Sequence, residues 1–164
     1  MWSLIGQQLA AARVLAGQDK RRPTQASLRR AVSTAYHALF QPLCETCADT
    51  LVGWDKPWEV ITPIFRSLEH SRTAQVLTTR AFATTPQLER LGSFFNELQA
   101  AREWADYSPE PRPNFHSSRR IQPFTLAEAN ALIGLAEEAV RILDALDQDD
   151  RLRLATRLVT KNRK

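Results

Sequence analysis

Apolar residues recur at intervals of three and four along most of this chain, which is the pattern of amphipathic helices. The pattern predicts a first helix over about residues 3–16, with Gly17 ending it. A second helix begins after Thr24, a predicted N-cap, and carries a firm apolar stripe. Pro42 lacks a backbone donor, so we expect it to kink or end this helix; if the helix resumes, it extends to about residue 52.

A third helix is predicted to begin near residues 55–57, whereas residues 72–84 give no clear pattern. Thr84 and Gln87 have the spacing of a capping box and predict the start of a fourth helix. Its apolar stripe continues to about residue 105.

Four prolines between residues 107 and 123 predict a long loop after the fourth helix. Thr125 and Glu128 form a second capping-box pattern, which predicts a fifth helix through Leu146. No segment alternates apolar and polar residues as a strand would. The sequence therefore predicts an all-α fold, a bundle of four to five helices.

Length and composition place the chain among ordinary globular proteins. It has 164 residues, of which 43% are hydrophobic and 24% charged, and this favours one domain with a real core. No apolar run approaches the ~20 residues of a membrane-spanning helix. The N-terminus lacks the early basic residue and long apolar stretch of a signal peptide, and two cysteines cannot form a disulfide framework. We therefore expect a cytoplasmic protein.

The net charge of +4 is concentrated at the C-terminus. Residues 151–164 carry six basic residues and no acid, so residues 1–150 hold 16 basic and 18 acidic residues and sum to −2. This pattern predicts a helical domain over residues 1–147, followed over residues 148–164 by an acidic break and a mobile basic tail. Arginine outnumbers lysine, which suits phosphate recognition but is equally the bias of a GC-rich genome.

Signatures of metal or cofactor chemistry are weak. Cys44 and Cys47 form a single C-x-x-C pair inside a helical pattern, so buried structural cysteines are favoured over a zinc or redox site. His37, His70 and His116 are scattered and have no metal-binding spacing. No glycine-rich loop for phosphates is present. The sequence predicts neither a metal nor a cofactor.

Two helical groups of residues could carry chemistry, and the first is in the second predicted helix. Arg30 and His37 are seven residues apart and share a face, with Ser33 between them. An arginine can hold a phosphate while a histidine transfers a proton near neutral pH. The alternative is a solvated Arg30 and a His37 that packs at a helix contact.

The second group lies at the end of the fourth predicted helix. Arg102 and Asp106 are four residues apart, and Tyr107 follows. Arg102 could bind phosphate, Asp106 could orient it or bind a hydroxyl, and Tyr107 could stack on a base. The alternative is a structural lock, in which Asp106 caps loop amides and Arg102 braces the helix end.

These residues resemble two motifs of one family. LRRAVSTAYHALF at residues 28–40 resembles the R-x-x-S-x-A-Y-[YH]-A-x-F helix of HEPN domains, in which Tyr36 and Ser33 would support the site. REWADYSP at residues 102–109 resembles the R-x-x-A-D-Y-x-P segment of the same group. The resemblance covers roughly residues 1–147.

The resemblance implies a HEPN-like up-and-down bundle that pairs as a homodimer. Many HEPN proteins are metal-independent ribonucleases, often toxins with a nucleotidyltransferase-type antitoxin or parts of defence systems. Their catalytic signature is an arginine followed after four to six residues by a histidine. Here Tyr107 follows Arg102 where that histidine would be, and only Arg30 and His37, in the earlier helix, satisfy the spacing.

Two principal functions follow as hypotheses. One is an RNA- or nucleotide-binding module that acts through a partner protein, with phosphates held by four arginines: Arg30, Arg102, Arg119 and Arg120. The other is a metal-independent endoribonuclease in which the ribose 2′-OH attacks the adjacent phosphorus. Its candidate catalytic residues are Arg102 and Asp106, assisted by Tyr107 or His37. A third is a structural dimerisation subunit whose basic tail docks on an acidic partner.

Overall fold

The computed structural model describes residues 4–18, 22–108 and 123–160. Over these ranges the chain forms seven helices and no strand, which confirms the all-α prediction. The helices are α1 (Leu4–Gly17), α2 (Gln25–Leu51), α3 (Trp58–Phe65), α4 (His70–Leu77), α5 (Pro86–Tyr107), α6 (Leu126–Asp144) and α7 (Gln148–Val159). None of the helices in these ranges is long and apolar enough to cross a membrane.

The long helix α2 forms the centre of the fold, and α1, α5, α6 and α7 pack around it. Thr24 is its N-cap as predicted, because the Thr24 hydroxyl accepts a hydrogen bond from the Ser27 amide at 3.2 Å. Of the two outcomes expected at Pro42, an end of the helix is wrong, since α2 continues through it to Leu51, close to residue 52, the end predicted for a helix that resumes. Pro42 is buried, and packing on several sides of α2 offsets the ~3 kcal/mol that an internal proline costs.

Capping residues determine where α5 and α6 begin. The N-cap of α5 is Thr85 and not Thr84 as predicted: the Thr85 hydroxyl accepts from the Leu88 amide, and Pro86 occupies the first turn. The capping box at the start of α6 is confirmed, since Thr125 and Glu128 each bond the other's backbone amide. The unassigned segment 72–84 contains most of α4 and a turn.

The segment predicted to be a mobile tail forms α7, so that prediction is wrong over residues 151–159. Leu154, Ala155 and Leu158 are buried and belong to the same hydrophobic core as the other helices. The burial of three apolar side chains at helical spacing therefore attaches this segment to the core, although basic residues lie between them. The last four residues of the predicted tail, 161–164, lie outside the described residues.

Polar groups fix both ends of α7. The Asp147 carboxylate accepts a hydrogen bond from the Asp150 amide at 2.8 Å, which caps the N-terminus of the helix. At the other end, the Arg72 guanidinium donates to the carbonyls of Leu158, at 3.0 Å, and Thr160. A cation at the C-terminus of a helix is favourable because the last carbonyls lack partners there. Arg72 thus connects α4 to α7.

Candidate functional site

The two motif segments meet where α2 packs on α5. Ser33 on α2 is 4% exposed, and its hydroxyl donates to the Asp106 carboxylate on α5 at 3.2 Å. One turn before Asp106 on α5 and one turn after Ser33 on α2, the Arg102 guanidinium carbon lies 5.8 Å from the centroid of the Tyr36 ring. The spacing of four residues on α5 and three on α2 places both pairs on facing sides of the two helices.

Arg102 is held on several sides but retains access to solvent. Its Nε atom lies 2.8 Å from Oδ2 of Asp106, without the alignment of a hydrogen bond, so the contact is an ion pair. Its Nη2 donates to the Tyr107 hydroxyl at 3.2 Å, and the Tyr107 ring centroid is 5.1 Å away. The Arg102 side chain is 14% exposed, and Tyr107 is 71% exposed. The result is a fixed guanidinium between two tyrosine rings.

Tyr36 links this arginine to a histidine on another helix. Tyr36 is fully buried, and its hydroxyl lies 2.6 Å from Nδ1 of His70, the first residue of α4. Burial raises the pKa of Tyr36, and the nearby Arg102 charge only partly opposes that rise. Tyr36 therefore remains a neutral phenol. With its hydroxyl as donor, Nδ1 of His70 accepts and the ring proton is on Nε2.

His37 and His70 form a pair of neutral imidazoles beside Arg102. Burial lowers the pKa of His37, the positive charges of Arg102 and Arg30 lower it further, and Asp106 opposes them. Burial also lowers the pKa of His70, and the positive charge of Arg102 lowers it further. The two rings lie 6.2 Å apart. Because both pKa values are below the usual value, both rings are uncharged near neutral pH.

We call this group of side chains the Arg102 cluster; its members are Ser33, Tyr36, His37, His70, Arg102, Asp106 and Tyr107. The cluster brings together the polar residues that the sequence singled out in both motifs. Arg30 is exposed on α2 and close enough to influence the pKa of His37, so it borders the cluster. Arg119 and Arg120 lie outside the described residues.

Sequence reasoning missed two contributors to this region. His70 stands just before the segment that gave no clear pattern, and only the folded chain brings it to Tyr36. Arg29 was not selected, yet its guanidinium donates to the Ser108 carbonyl at 2.7 Å and braces the end of α5. The alternative interpretation gave that bracing role to Arg102. Arg102 also contacts the end of α5, through Asp106 and Tyr107, so the two arginines share the bracing role that the alternative gave to Arg102.

The described residues include no group of three or more His, Cys, Asp or Glu side chains placed to hold a metal ion. Cys44 and Cys47 are both buried and free, as the structural interpretation expected. Burial raises the pKa of each thiol to about 12, so both remain protonated thiols and are poor metal ligands or nucleophiles at neutral pH.

The chemistry available to the Arg102 cluster is recognition of an anion with neutral imidazoles nearby. A guanidinium presents its N–H donors in a planar fork that matches the oxygens of a phosphate. Asp106 neutralises part of its charge, which lets Arg102 lie in a partly buried position at low cost. The neutral ring of His37 can accept a proton, whereas Nδ1 of His70 is already occupied by the Tyr36 hydroxyl.

The lowered pKa values predict a stability change with pH. Below pH ~6.5 the histidines of the unfolded chain take up protons, while the folded chain resists protonation of His37 and His70. The free energy of unfolding therefore falls as the pH drops from about 6.5 towards the lower folded values. We expect a variant with both His37→Gln and His70→Gln to lose less stability over this range. Urea unfolding near neutral pH and at mildly acid pH measures it; equal losses would contradict the assignment.

A comparison with known proteins adds no relative. No family model matches the chain, and neither a curated protein nor a solved structure matches it.

Proposed function

We propose that the Arg102 cluster is a phosphate-binding site and that this protein is a HEPN-like RNA- or nucleotide-binding module. The supporting observation is the position of Arg102, which is partly exposed and held by Asp106 between the rings of Tyr36 and Tyr107. The Arg102 and Asp106 side chains are 14% and 25% exposed, so the pair is largely shielded from water yet leaves the guanidinium open to a phosphate from solvent. A preoriented guanidinium beside an exposed aromatic ring suits a nucleotide.

Electrostatics around His37 support the same proposal. Arg102 from α5 and Arg30 from α2 both lower its pKa, so two cations from different helices border one small region. Asp106 opposes the two arginines at His37, and Glu103 acts in the same sense on His70.

The motif resemblance supplies the wider setting of the proposal. As a member of the HEPN group, the protein would form a homodimer in the cytoplasm and act with a nucleotidyltransferase-type partner in a toxin–antitoxin or defence system. The order of the two motifs along the chain and their meeting at the α2–α5 contact support this assignment.

Salt dependence tests phosphate recognition. Contacts from Arg30 and Arg102 to single-stranded RNA would release counterions, and each contact contributes a slope of about −0.7 to the plot of log K against log salt. We expect a labelled oligoribonucleotide to bind with a slope of about −1.4 or steeper. Fluorescence anisotropy over a salt series measures it. Absent binding, or binding that is unchanged by salt, would contradict the proposal.

The second candidate function is a metal-independent endoribonuclease, which the neutral state of His37 favours. A general base must be unprotonated, and both burial and the arginines keep His37 in that state. Arg102 would then stabilise charge on the phosphoryl oxygens. Tyr36 is excluded as the base because burial raises its pKa. His37, or Asp106 beside it, takes that role in this candidate.

Incubation of the protein with RNA in EDTA separates the two candidates. The ribonuclease predicts products with 2′,3′-cyclic phosphate ends that disappear in both Arg102→Ala and His37→Ala. The binding module predicts intact RNA with all three proteins, together with a complex that the wild type forms. Cleavage that survives Arg102→Ala would contradict the ribonuclease as drawn here.

A further inference from the structure

A groove adjoins the Arg102 cluster on the far side of His37. It has a volume of about 590 Å³ and lies between α1, α2 and the end of α3. His37 is a member of the cluster and also lines the groove. Phe40 lines the groove too, and its ring centroid is 4.1 Å from that of His70 in the cluster. His37 and Phe40 therefore connect the Arg102 cluster with the groove. The volume falls in the ~300–1,000 Å³ range of small-molecule sites.

The walls of the groove combine aromatic rings with a cation. Phe40 and Phe65, both partly buried, contribute rings, and Arg66 contributes an exposed guanidinium. The described residues that line it include no carboxylate, and Glu45 lies next to the lining, bonded to Gln41. Trp58 stands next to Phe65, with ring centroids 6.1 Å apart, and is 54% exposed. This arrangement continues the line of aromatic side chains from the groove out to the surface.

Two amides give the groove a polar edge. Gln8 donates to the Gln41 oxygen at 3.0 Å, and Gln41 donates to the Glu45 carboxylate at 3.1 Å. Because a carboxylate only accepts hydrogen bonds, the Gln41 amide nitrogen must face Glu45 and its oxygen must face Gln8. Gln41 still has a second N–H and a second lone pair after these bonds. Such an amide can donate to and accept from the edge of a nucleobase.

A second groove of similar size shows that this combination is not a general property of the fold. The groove between α5 and α6 has a volume of about 580 Å³, and the described residues that line it include Glu97, Glu103 and Glu128 but no basic residue.

We infer that the groove between α1, α2 and α3 binds a nucleobase of single-stranded RNA, next to the phosphate held by the Arg102 cluster. The base inserts against Phe40 and Phe65, Gln41 contacts its polar edge, and Arg66 contacts the next phosphate. Trp58 stacks on the neighbouring base. The inference deepens the proposed function and depends on it, because the phosphate at Arg102 directs the base into the groove.

The test compares two ligands of equal length, an oligoadenylate and an abasic ribose-phosphate oligomer. We expect the wild type to bind the oligoadenylate at least about tenfold more tightly, since stacking on an aromatic side chain is worth ~1–3 kcal/mol per base. Phe65→Leu retains apolar volume but removes the ring, and should reduce this preference by about tenfold while leaving binding of the abasic oligomer unchanged. Trp58→Ala, at an exposed position, should weaken oligoadenylate binding in the same manner.

Trp54→Ala is the matched control, because Trp54 is 48% exposed and does not line the groove. We expect it to bind both oligomers as the wild type does. Equal affinity of the wild type for the two oligomers, or an unchanged preference in both Phe65→Leu and Trp58→Ala, would overturn the base-binding groove and leave the phosphate site intact. Abasic binding that does not depend on Arg102 would overturn the proposed function and this inference together.

Discussion

Replacement of Gly92 by alanine is expected to destabilise the protein by about 2 kcal/mol. Gly92 is on α5 where that helix passes the end of α4, and a β-carbon there would lie 2.9 Å from the carbonyl carbon of Leu77 and closer still to its oxygen. Backbone atoms cannot rotate away, so the two helices must separate. Such overpacking costs ~1–3 kcal/mol or more, which exceeds the ~0.5–1 kcal/mol that alanine gains in helix propensity.

Gly134 provides the matched control for this substitution. It lies inside α6, and a β-carbon at that position meets no atom within 4 Å. Gly134→Ala should therefore stabilise the protein by ~0.5–1 kcal/mol. Urea unfolding of both variants gives the comparison. If Gly92→Ala were as stable as Gly134→Ala, the close approach of α4 and α5 would be wrong.

The same substitution bears on the site, because α4 begins at His70 and Gly92 sets how closely α4 approaches α5. Displacement of α4 would lengthen the 2.6 Å contact between His70 and Tyr36. A close helix approach of this kind has no signature in the sequence beyond one glycine in an amphipathic pattern. It is a consequence of packing and not of local propensity.

Local chemistry accounts for what the sequence predicted well about the fold. Thr24, Thr125 and Glu128 cap helices through bonds that span three residues, so their pattern is complete within a short segment. The same reasoning failed by one residue at Thr85, because Thr84 and Thr85 are both suitable caps and Pro86 decides between them. Apolar periodicity identified the long helices for the same local reason.

The errors arose where tertiary contacts override local signals. Pro42 lies inside α2 because the helix is packed on several sides, and α7 forms because three buried side chains join the core. Neither effect is visible in the residues nearest to it. The site shows the same difference between local and tertiary contacts. Spacing within α5 predicted that Arg102 lies next to Asp106, but the contact of Tyr36 with His70 depends on how α2 and α4 pack.

Replacement of Arg102 by glutamine has the largest expected effect on function. The change removes the guanidinium and leaves the Asp106 carboxylate, which is 25% exposed, without its cationic partner. A charge-assisted hydrogen bond is worth ~1.5–3 kcal/mol, which corresponds to a loss in affinity of about tenfold to a hundredfold. The remaining carboxylate would repel a phosphate as well. We therefore expect RNA binding to weaken at least about tenfold.

Arg141→Gln is the matched control, because it removes the same charge from a site on α6 outside the Arg102 cluster. The Arg141 side chain is 71% exposed and pairs with Glu138 at 2.8 Å. Loss of an exposed pair of this type costs ~0–1 kcal/mol of stability and should hardly change RNA affinity. Circular dichroism of both variants establishes that they are folded before their binding is compared.

The most direct test of the proposed phosphate site is the affinity of one oligoribonucleotide for three proteins at a single salt concentration: the wild type, Arg102→Gln and Arg141→Gln. The Arg102 cluster predicts that Arg141→Gln binds like the wild type, while folded Arg102→Gln binds at least about tenfold more weakly. Equal affinities for the two folded variants would show that net charge and not the cluster attracts RNA, and would contradict the proposed function.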